Sequence, residues 1–314
     1  MSHLMPWQQE QWQALQNMRN DGRLPHALLF AGPRGLGKAQ FALEFIYSLF
    51  CLTPTADKSA CRTCRTCALL AAETQPDFRI LQPEETGKTI KIEQVRNHLD
   101  WLKQSSQQGN LKILLIQSAE RLNMAASNAL LKTLEEPGRQ TLIILVTHQP
   151  NLLAATIYSR CQLVKFTLPP TQIAKAWLEA QLPGKVDDIN FLLTLAGGAP
   201  LRAYELAETE IEEKYRIWTA GLQKLLSGHI SPLSLAKEWQ KAESTALLDY
   251  LIWVINFYLK GEKPIISLNI KPQKLFELYD KLIRNRELLR THQGLNDYLL
   301  LEDILIDCFC MAKP

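Results

Sequence analysis

The chain has 314 residues, of which 46% are hydrophobic and 21% charged, and its formal net charge is +3, an ordinary composition for a globular protein of two or three domains. So small a net charge does not by itself indicate nucleic-acid binding, which needs clustered basic residues. No apolar stretch approaches the roughly 20 residues of a membrane span, and Met1–Gln16 does not read as a secretion signal, so we expect a cytoplasmic protein with reduced cysteines.

The first predicted element is a buried strand at Ala27–Ala31 that runs into a glycine-rich loop. Residues 32–39 read Gly-Pro-Arg-Gly-Leu-Gly-Lys-Ala and match the phosphate-binding pattern G-x-x-x-x-G-K-[ST] except at its last position. In that pattern backbone N–H groups wrap phosphate oxygens, the lysine neutralises their charge and the hydroxyl holds Mg²⁺. The cradle residues are present, namely Gly32, Gly35, Gly37 and Lys38. Ala39 replaces the magnesium ligand.

A helix predicted at Lys38–Phe50 is followed by four cysteines within seventeen positions. They are Cys51, Cys61, Cys64 and Cys67. Together they supply the four thiolates of a tetrahedral structural zinc site, and a helix from Cys64 would place Cys67 one turn further along the same face. We predict a zinc module at about 51–67; a redox C-x-x-C pair and free buried thiols are the alternatives. Lys58, Arg62 and Arg65 are placed to offset the thiolate charge.

A second buried strand is predicted at Leu111–Ile116. In P-loop ATPases such a strand ends in an acidic residue that binds Mg²⁺, often followed by a Glu that activates water. Gln117 and Ser118 occupy these two places. Glu120, shortly after, is the nearby acid that could substitute. Because a general base alone is worth roughly 10²- to 10⁴-fold in rate, we expect almost no hydrolysis by this chain.

Strand and helix patterns alternate over the first 165 residues or so, as they do in a parallel α/β sheet. The other predicted strands are Phe78–Leu81, Thr141–Val146 and Cys161–Phe166, and the other predicted helices are Ile92–Lys103, Ala125–Glu135 and Leu152–Tyr158. Pro169-Pro170 marks a boundary. We therefore predict an α/β domain at 1–168, with the zinc module as an insertion.

Beyond that boundary the pattern is almost entirely helical. A helix at Thr171–Ala180 begins with a residue of the capping type, and one at Ile189–Ala196 ends at Gly197-Gly198. Longer helical stretches are predicted at 207–227, 233–260, 272–291 and 296–311, with a loop at 261–271. We predict a small helical domain at 169–207 and an all-α domain at 208–314 that packs internally or against neighbouring copies.

Several motifs together resemble the AAA+ clamp-loader subunits of bacterial DNA polymerase III, over nearly the whole chain. They are the loop at 32–38, the four-cysteine insertion, Asn128-Ala-Leu-Leu-Lys-Thr-Leu-Glu-Glu-Pro137, Ser159-Arg160-Cys161, Gly198-Ala-Pro200, and Gly294-Leu-Asn296 with Leu301-Glu302. The Asn128–Pro137 string and the Ser159-Arg160-Cys161 triplet are specific, whereas the loop alone is weak. The resemblance implies an AAA+ sheet domain, a helical lid domain and an all-α collar domain for oligomerisation.

Within that family the departures at Ala39, Gln117 and Ser118 favour the delta-prime class, whose nucleotide site has decayed. The alternative is the ATP-hydrolysing gamma/tau class. ATP-hydrolysing relatives carry a nucleotide-sensing arginine at the position that Leu201 occupies in this chain. Arg202 is one position away. We expect no ATPase activity of the chain's own, while binding of ATP or ADP stays open because the phosphate cradle survives.

The resemblance assigns to Arg160 the role of an arginine finger that enters the ATP site of an adjacent subunit. A guanidinium supplied in trans stabilises the charge that develops on the γ-phosphate and is worth about 10³- to 10⁵-fold in hydrolysis. The plain alternative is a surface arginine held by a carboxylate. Thr147 falls where AAA+ proteins keep a polar sensor, and we expect it to be structural.

By resemblance, the chain is a non-hydrolysing stator of the clamp loader, part of the holoenzyme that performs chromosomal replication. Its partners would be gamma/tau-like and delta-like subunits and, indirectly, the sliding clamp and primer-template DNA. Another alternative makes the cysteine insertion a DNA-reading element in which Arg62 and Arg65 contact phosphates, with salt-dependent affinity. We favour a structural clip that holds an insertion too small for its own core.

Overall fold

The computed structural model describes residues 4–85, 88–107, 111–138, 140–184, 189–209, 211–240, 244–259, 272–291 and 296–312. The predicted loop at 261–271 and the Gly294 position of the last motif lie outside these residues. The chain divides into two compact units, Met1–Glu205 and Leu206–Pro314. Within the described ranges no helix has the length and apolar character needed to cross a bilayer.

The described part of the first unit contains a sheet of five parallel strands in the order β2-β3-β4-β1-β5. The strands are β1 Ala27–Ala31, β2 Phe78–Leu81, β3 Lys112–Ile116, β4 Thr141–Thr147 and β5 Gln162–Lys165. In the register of the sheet, Ala31 lies opposite Thr147 of β4 and Lys165 of β5. The loop that follows β1 therefore leaves the sheet beside the carboxyl ends of both neighbours, the edge where ligands bind in open α/β sheets.

Helices cover both faces of this sheet. The helices before β5 are α1 Gln9–Asn20, α2 Lys38–Phe50, α3 Arg65–Ala71, α4 Ile92–Leu102, α5 Met124–Glu135 and α6 Ala155–Tyr158. Those after β5 are α7 Thr171–Gln181, α8 Ile189–Leu195 and α9 Pro200–Ala207, which continues two residues past the end of the first unit. Successive strand residues point to opposite faces, so Leu28 packs in one core with α1 and α2 while Leu29 packs in the other with α4 and α5. The α/β fold class is confirmed, and each predicted strand is present to within one residue at either end.

Two local predictions need correction in the first unit, and two elements near its start were not predicted. The helix α1 and the 3₁₀ turn Pro6–Gln8 before it were not expected. The segment predicted as one helix at Leu152–Tyr158 is a 3₁₀ turn at Pro150–Leu152 followed by the short α6. Thr171 does not cap α7, because Pro170 is the N-cap residue and its carbonyl accepts the first helical hydrogen bonds.

The described part of the second unit is wholly helical. Its helices are α10 Ile211–Leu226, α11 Pro232–Trp239, α12 Ser244–Leu259, α13 Pro272–Thr291 and α14 Asp297–Ala312. The single helix predicted at 233–260 is wrong, since α11 ends at Trp239 and α12 begins at Ser244. No Gly or Pro stands between them, so the sequence carries no stop signal. Tyr250 is fully buried in an aromatic core, and its hydroxyl bonds Thr219 Oγ1 at 2.9 Å.

Candidate functional site

The phosphate-binding loop, residues 32–39, joins β1 to the N-terminus of α2. Gly37 is the N-cap residue with φ of 78°, a left-handed conformation that glycine adopts at low cost. At Gly32, with φ of 156°, a Cβ atom would lie 2.1 Å from the carbonyl oxygen of Phe166. The loop therefore requires glycine at both ends, for backbone conformation at one and for close packing beneath β5 at the other.

The lysine of this loop is bound by the loop itself. Lys38 is 2% exposed, and its Nζ donates hydrogen bonds to the carbonyl oxygens of Gly32 at 2.7 Å and Pro33 at 2.6 Å. Burial lowers the pKa of Lys38 to about 8, and the nearby Glu120 carboxylate offsets part of that shift. With Ala39 next in the chain, the cation of the cradle is present and the magnesium-binding hydroxyl is not.

The N-terminal segment, which no sequence motif assigns to the site, covers the loop from one side. Trp7 Nε1 donates to the carbonyl oxygen of Leu36 at 3.1 Å. Gln8 Nε2 donates to the same oxygen at 2.9 Å and to the Gly37 oxygen at 3.2 Å. The tryptophan and glutamine residues of this segment are visible in the sequence, but they form no motif that predicts a contact with the loop.

The helix α9 packs on the loop as well, at the position expected of a nucleotide sensor. The Leu201 backbone N–H donates to the Gly35 carbonyl at 3.1 Å, and a Cβ added at Gly37 would lie 3.2 Å from Leu201 Cδ1. A Cβ added at Gly35 would lie 2.7 Å from Arg202 Cβ. An apolar side chain thus stands at the sensor slot, and the first atoms of Arg202 pack against the loop.

The edge beyond β3 has no carboxylate at the two positions that bind magnesium and activate water in ATPases. Gln117 uses its backbone N–H to bond the Leu81 carbonyl at 2.9 Å, and Ser118 adopts φ of 55° at the start of a 3₁₀ turn. Glu120 follows in that turn, and its Oε2 accepts from the His148 backbone N–H at 3.4 Å. Glu120, the acid that could substitute as a base, is thus hydrogen-bonded to the segment that follows β4.

The residues after β4 supply no strong base either. Burial lowers the pKa of His148 to about 4, with the Lys38 charge acting in the same direction, so the imidazole is neutral and only weakly basic at physiological pH. Thr147 is fully buried at the end of β4, and its Oγ1 accepts from the Gln149 backbone N–H at 3.1 Å. The geometry of Thr147 agrees with the structural role expected for it.

The four cysteines of the insertion converge, as their spacing predicts. Their Sγ atoms all lie within 4.8 Å of one another. A tetrahedral site with Zn–S bonds of about 2.3 Å needs sulfur atoms about 3.8 Å apart. Two backbone N–H groups point at sulfurs, from Cys61 to Cys51 Sγ at 3.2 Å and from Cys64 to Cys61 Sγ at 3.3 Å. The cluster could therefore hold a metal ion.

Local hydrogen bonds prepare one of these thiols to ionise. The Thr53 hydroxyl donates to Cys61 Sγ at 3.2 Å, and this bond together with backbone N–H groups lowers the pKa of Cys61 to about 5. Burial raises the pKa of Cys67. A buried thiol beside a stabilised thiolate suits a site that is completed by a cation, since metal binding requires deprotonated sulfur.

Arg62 does not stand free beside the cysteines. It forms an ion pair with Glu44 of α2, and its guanidinium carbon lies 3.7 Å from the centre of the Tyr47 ring. The guanidinium is thus engaged with α2, and the expectation that Arg62 offsets thiolate charge stays a prediction. The same contacts occupy a side chain that a DNA-reading insertion would direct at phosphates, which favours a clip fixed to α2.

Arg160 follows α6 and precedes the edge strand β5. Its Nε and Nη2 atoms donate to Glu135 Oε1 at 2.8 and 2.5 Å, and Nη1 donates to the Thr156 carbonyl at 2.9 Å. The Arg160 side chain is 33% exposed and that of Glu135 is 50% exposed. The arginine thus lies at the surface and is held by a carboxylate within its own chain.

Comparison with known proteins gives concordant matches along the chain. A family model described as DNA polymerase III, delta subunit, matches residues 7–170. The DNA polymerase III subunit delta' of Pseudomonas aeruginosa is 33% identical over all of both chains, and that of Escherichia coli is 31% identical over 96% of this chain and 94% of its own length. A gamma subunit-related protein of Thermotoga maritima shares the fold, with a TM-score of 0.50 at 20% identity over 95% of this chain and 99% of its own.

Proposed function

Because this chain belongs to the delta' subunits of DNA polymerase III, a class of clamp-loader subunit, we propose that it hydrolyses no nucleotide and acts in the ATP site of a neighbour. In this proposal Arg160 is the arginine finger. The chain serves as the stator of the clamp loader during replication, and the adjacent ATP-hydrolysing subunit performs the reaction.

The observation that carries the proposal is the state of the phosphate-binding loop. Ala39, Gln117 and Ser118 replace the groups that hold magnesium and activate water. Phosphoryl transfer depends on positioning and on electrostatic stabilisation through Mg²⁺. A loop that keeps its backbone shape without these groups supports a role in which the fold positions residues for another subunit.

For the four-cysteine cluster, the ion we propose is Zn²⁺ in a structural role. Four sulfur ligands leave no open coordination position for a substrate, which is the arrangement of closed structural zinc sites. Cys51 comes directly after α2 and Cys67 lies in α3. A metal that joins them would fix the intervening insertion to the sheet domain without any chemistry of its own.

The partners we propose follow from membership of the family. The chain would assemble with gamma/tau-like and delta-like subunits and act on the sliding clamp and primer-template DNA through the complex. Residues 169–207 would form the lid and residues 208–314 the collar that holds neighbouring subunits together. An active ATPase of the gamma/tau type is the alternative, and the missing magnesium ligands weigh against it.

The experiment uses a clamp loader reconstituted with this chain, in which every ATP site except that of the adjacent subunit is inactivated. Arg160→Ala should lower DNA-stimulated ATP hydrolysis at the remaining site by at least about 10²-fold, because an arginine finger stabilises the transition state. Arg23→Ala removes another surface arginine that is paired with a carboxylate, Asp21, and should change nothing. Unchanged hydrolysis with Arg160→Ala would refute the proposal.

A further inference from the structure

The ion pair between Glu135 and Arg160 joins two elements of the first unit. Glu135 is the last residue of α5 and belongs to the motif that ends at Pro137, whereas Arg160 stands two residues after the end of α6. One carboxylate oxygen, Oε1, accepts from both Nε and Nη2. The Thr156 carbonyl accepts from Nη1 on another side. The guanidinium plane is thus fixed from two directions by the chain's own atoms.

The position of Glu135 is unfavourable for the helix that carries it. The carboxyl end of an α-helix bears partial negative charge, so an acidic side chain in the last turn is repelled by the unpaired carbonyls. Arg160 offsets that repulsion because it lies against the carboxylate. The pair is half exposed, so it contributes little to folding. A role in orienting Arg160 explains the arrangement better than a role in stability.

We propose that Glu135 is the positioning residue for Arg160, an inference that rests on the finger role proposed above. Arginine has many rotamers, and a guanidinium that must meet a γ-phosphate gains from being oriented before the neighbour arrives. Glu135 accepts from Nε and from one N–H of Nη2, and the Thr156 carbonyl and the Ser159 hydroxyl accept from Nη1. The second N–H of Nη2 is left to donate to the phosphate. The carboxylate acts through Arg160 and needs no contact with nucleotide.

The expected effect of removing the carboxylate is on the rate of the neighbour's reaction. In the reconstituted complex with one active site, Glu135→Ala should lower kcat about 3- to 10-fold and leave KM for ATP unchanged, since the finger acts in the transition state. Glu135→Gln keeps an acceptor oxygen at the same reach and should recover part of the loss. Alanine is a good helix former at this half-exposed position, so the variant should fold.

A double-mutant cycle separates positioning from a general structural effect. Four complexes are compared, containing the parent chain, Glu135→Ala, Arg160→Ala and the double variant, with kcat measured at saturating ATP and primed DNA. We expect Glu135→Ala to have no effect once Arg160 is absent, because it acts only through that side chain. Glu136→Ala is the matched control, since Glu136 is the next residue, is also exposed and is not bonded to Arg160.

Three results would overturn the inference. If Arg160→Ala lowers kcat but Glu135→Ala leaves it unchanged or raises it, the finger role stands and the positioning role fails. If Glu135→Ala causes the same loss with and without Arg160, its effect is structural. If Arg160→Ala changes nothing, the proposed function fails first and the positioning role fails with it.

Discussion

At the scale of the residue, Lys38 is held by the loop to which it belongs. Its ammonium group donates hydrogen bonds to the carbonyls of Gly32 and Pro33. Trp7 and Gln8 bond carbonyls further along the same loop. The loop is therefore stabilised by contacts within the chain, and its glycines are needed for packing whether or not a nucleotide binds.

Gly32→Ala tests this structural requirement. The new Cβ would lie 2.1 Å from the backbone oxygen of Phe166, and neither partner can move without displacing β1 or the chain after β5. We expect a loss of about 2 to 4 kcal/mol in the free energy of unfolding, measured by urea denaturation of the full chain. Gly22→Ala is the control, because Gly22 also has positive φ but nothing within 4 Å, and should cost about 1 kcal/mol. Equal small losses would contradict the account.

The sequence predicts the contacts of some single residues and not those of others. The cysteines were predicted because ligand spacing is local and the chemistry demands four sulfurs. The contact of Arg160 with Glu135 spans 25 positions, and a carboxylate partner could be foreseen only as a general possibility. The approach of Glu120 to the chain after β4 spans 28 positions. Such contacts depend on strand order, which no local pattern encodes.

At the scale of the element, buried strands were the easiest features to predict. Strands such as Lys112–Ile116 and Thr141–Thr147 are buried and mostly apolar on both faces because helices cover both sides of a parallel sheet. The end of α11 could not be predicted, because apolar residues continue at helical spacing into α12 and no Gly or Pro intervenes. The fold class could therefore be predicted from the sequence, whereas helix breaks that depend on tertiary packing could not.

The zinc proposed for the four-cysteine insertion can be tested by metal analysis. The purified full chain should contain about one zinc ion, and Cys67→Ser should remove it, since a closed structural site needs all four ligands. Loss of the ion should also expose residues 51–67 to protease, because metal binding supplies the folding energy of so small an insertion. Cys310→Ser is the control, as Cys310 is exposed in α14 and should leave the zinc content unchanged. Zinc retained by Cys67→Ser would argue against the assignment.

At the scale of the whole molecule, the chain combines an α/β unit of ATPase type with a helical unit. The first unit keeps the sheet, the loop and the segment that contains Arg160, although Ala39, Gln117 and Ser118 stand at the positions of the magnesium-binding and water-activating groups. Strand β5 and the loop after β1 are neighbours in that sheet. The loop after β1 therefore helps to hold β5 in place. Arg160, the residue proposed to act in a neighbour's site, lies two residues before the start of that strand.

The most direct measurement is magnesium-dependent ATP turnover by the purified chain alone, compared with its Lys38→Ala variant. The expected result is that the two preparations do not differ and that neither exceeds the buffer background, because Ala39, Gln117 and Ser118 stand at the positions that hold Mg²⁺ and activate water in P-loop ATPases. Turnover by the parent chain that disappears with Lys38→Ala would contradict it.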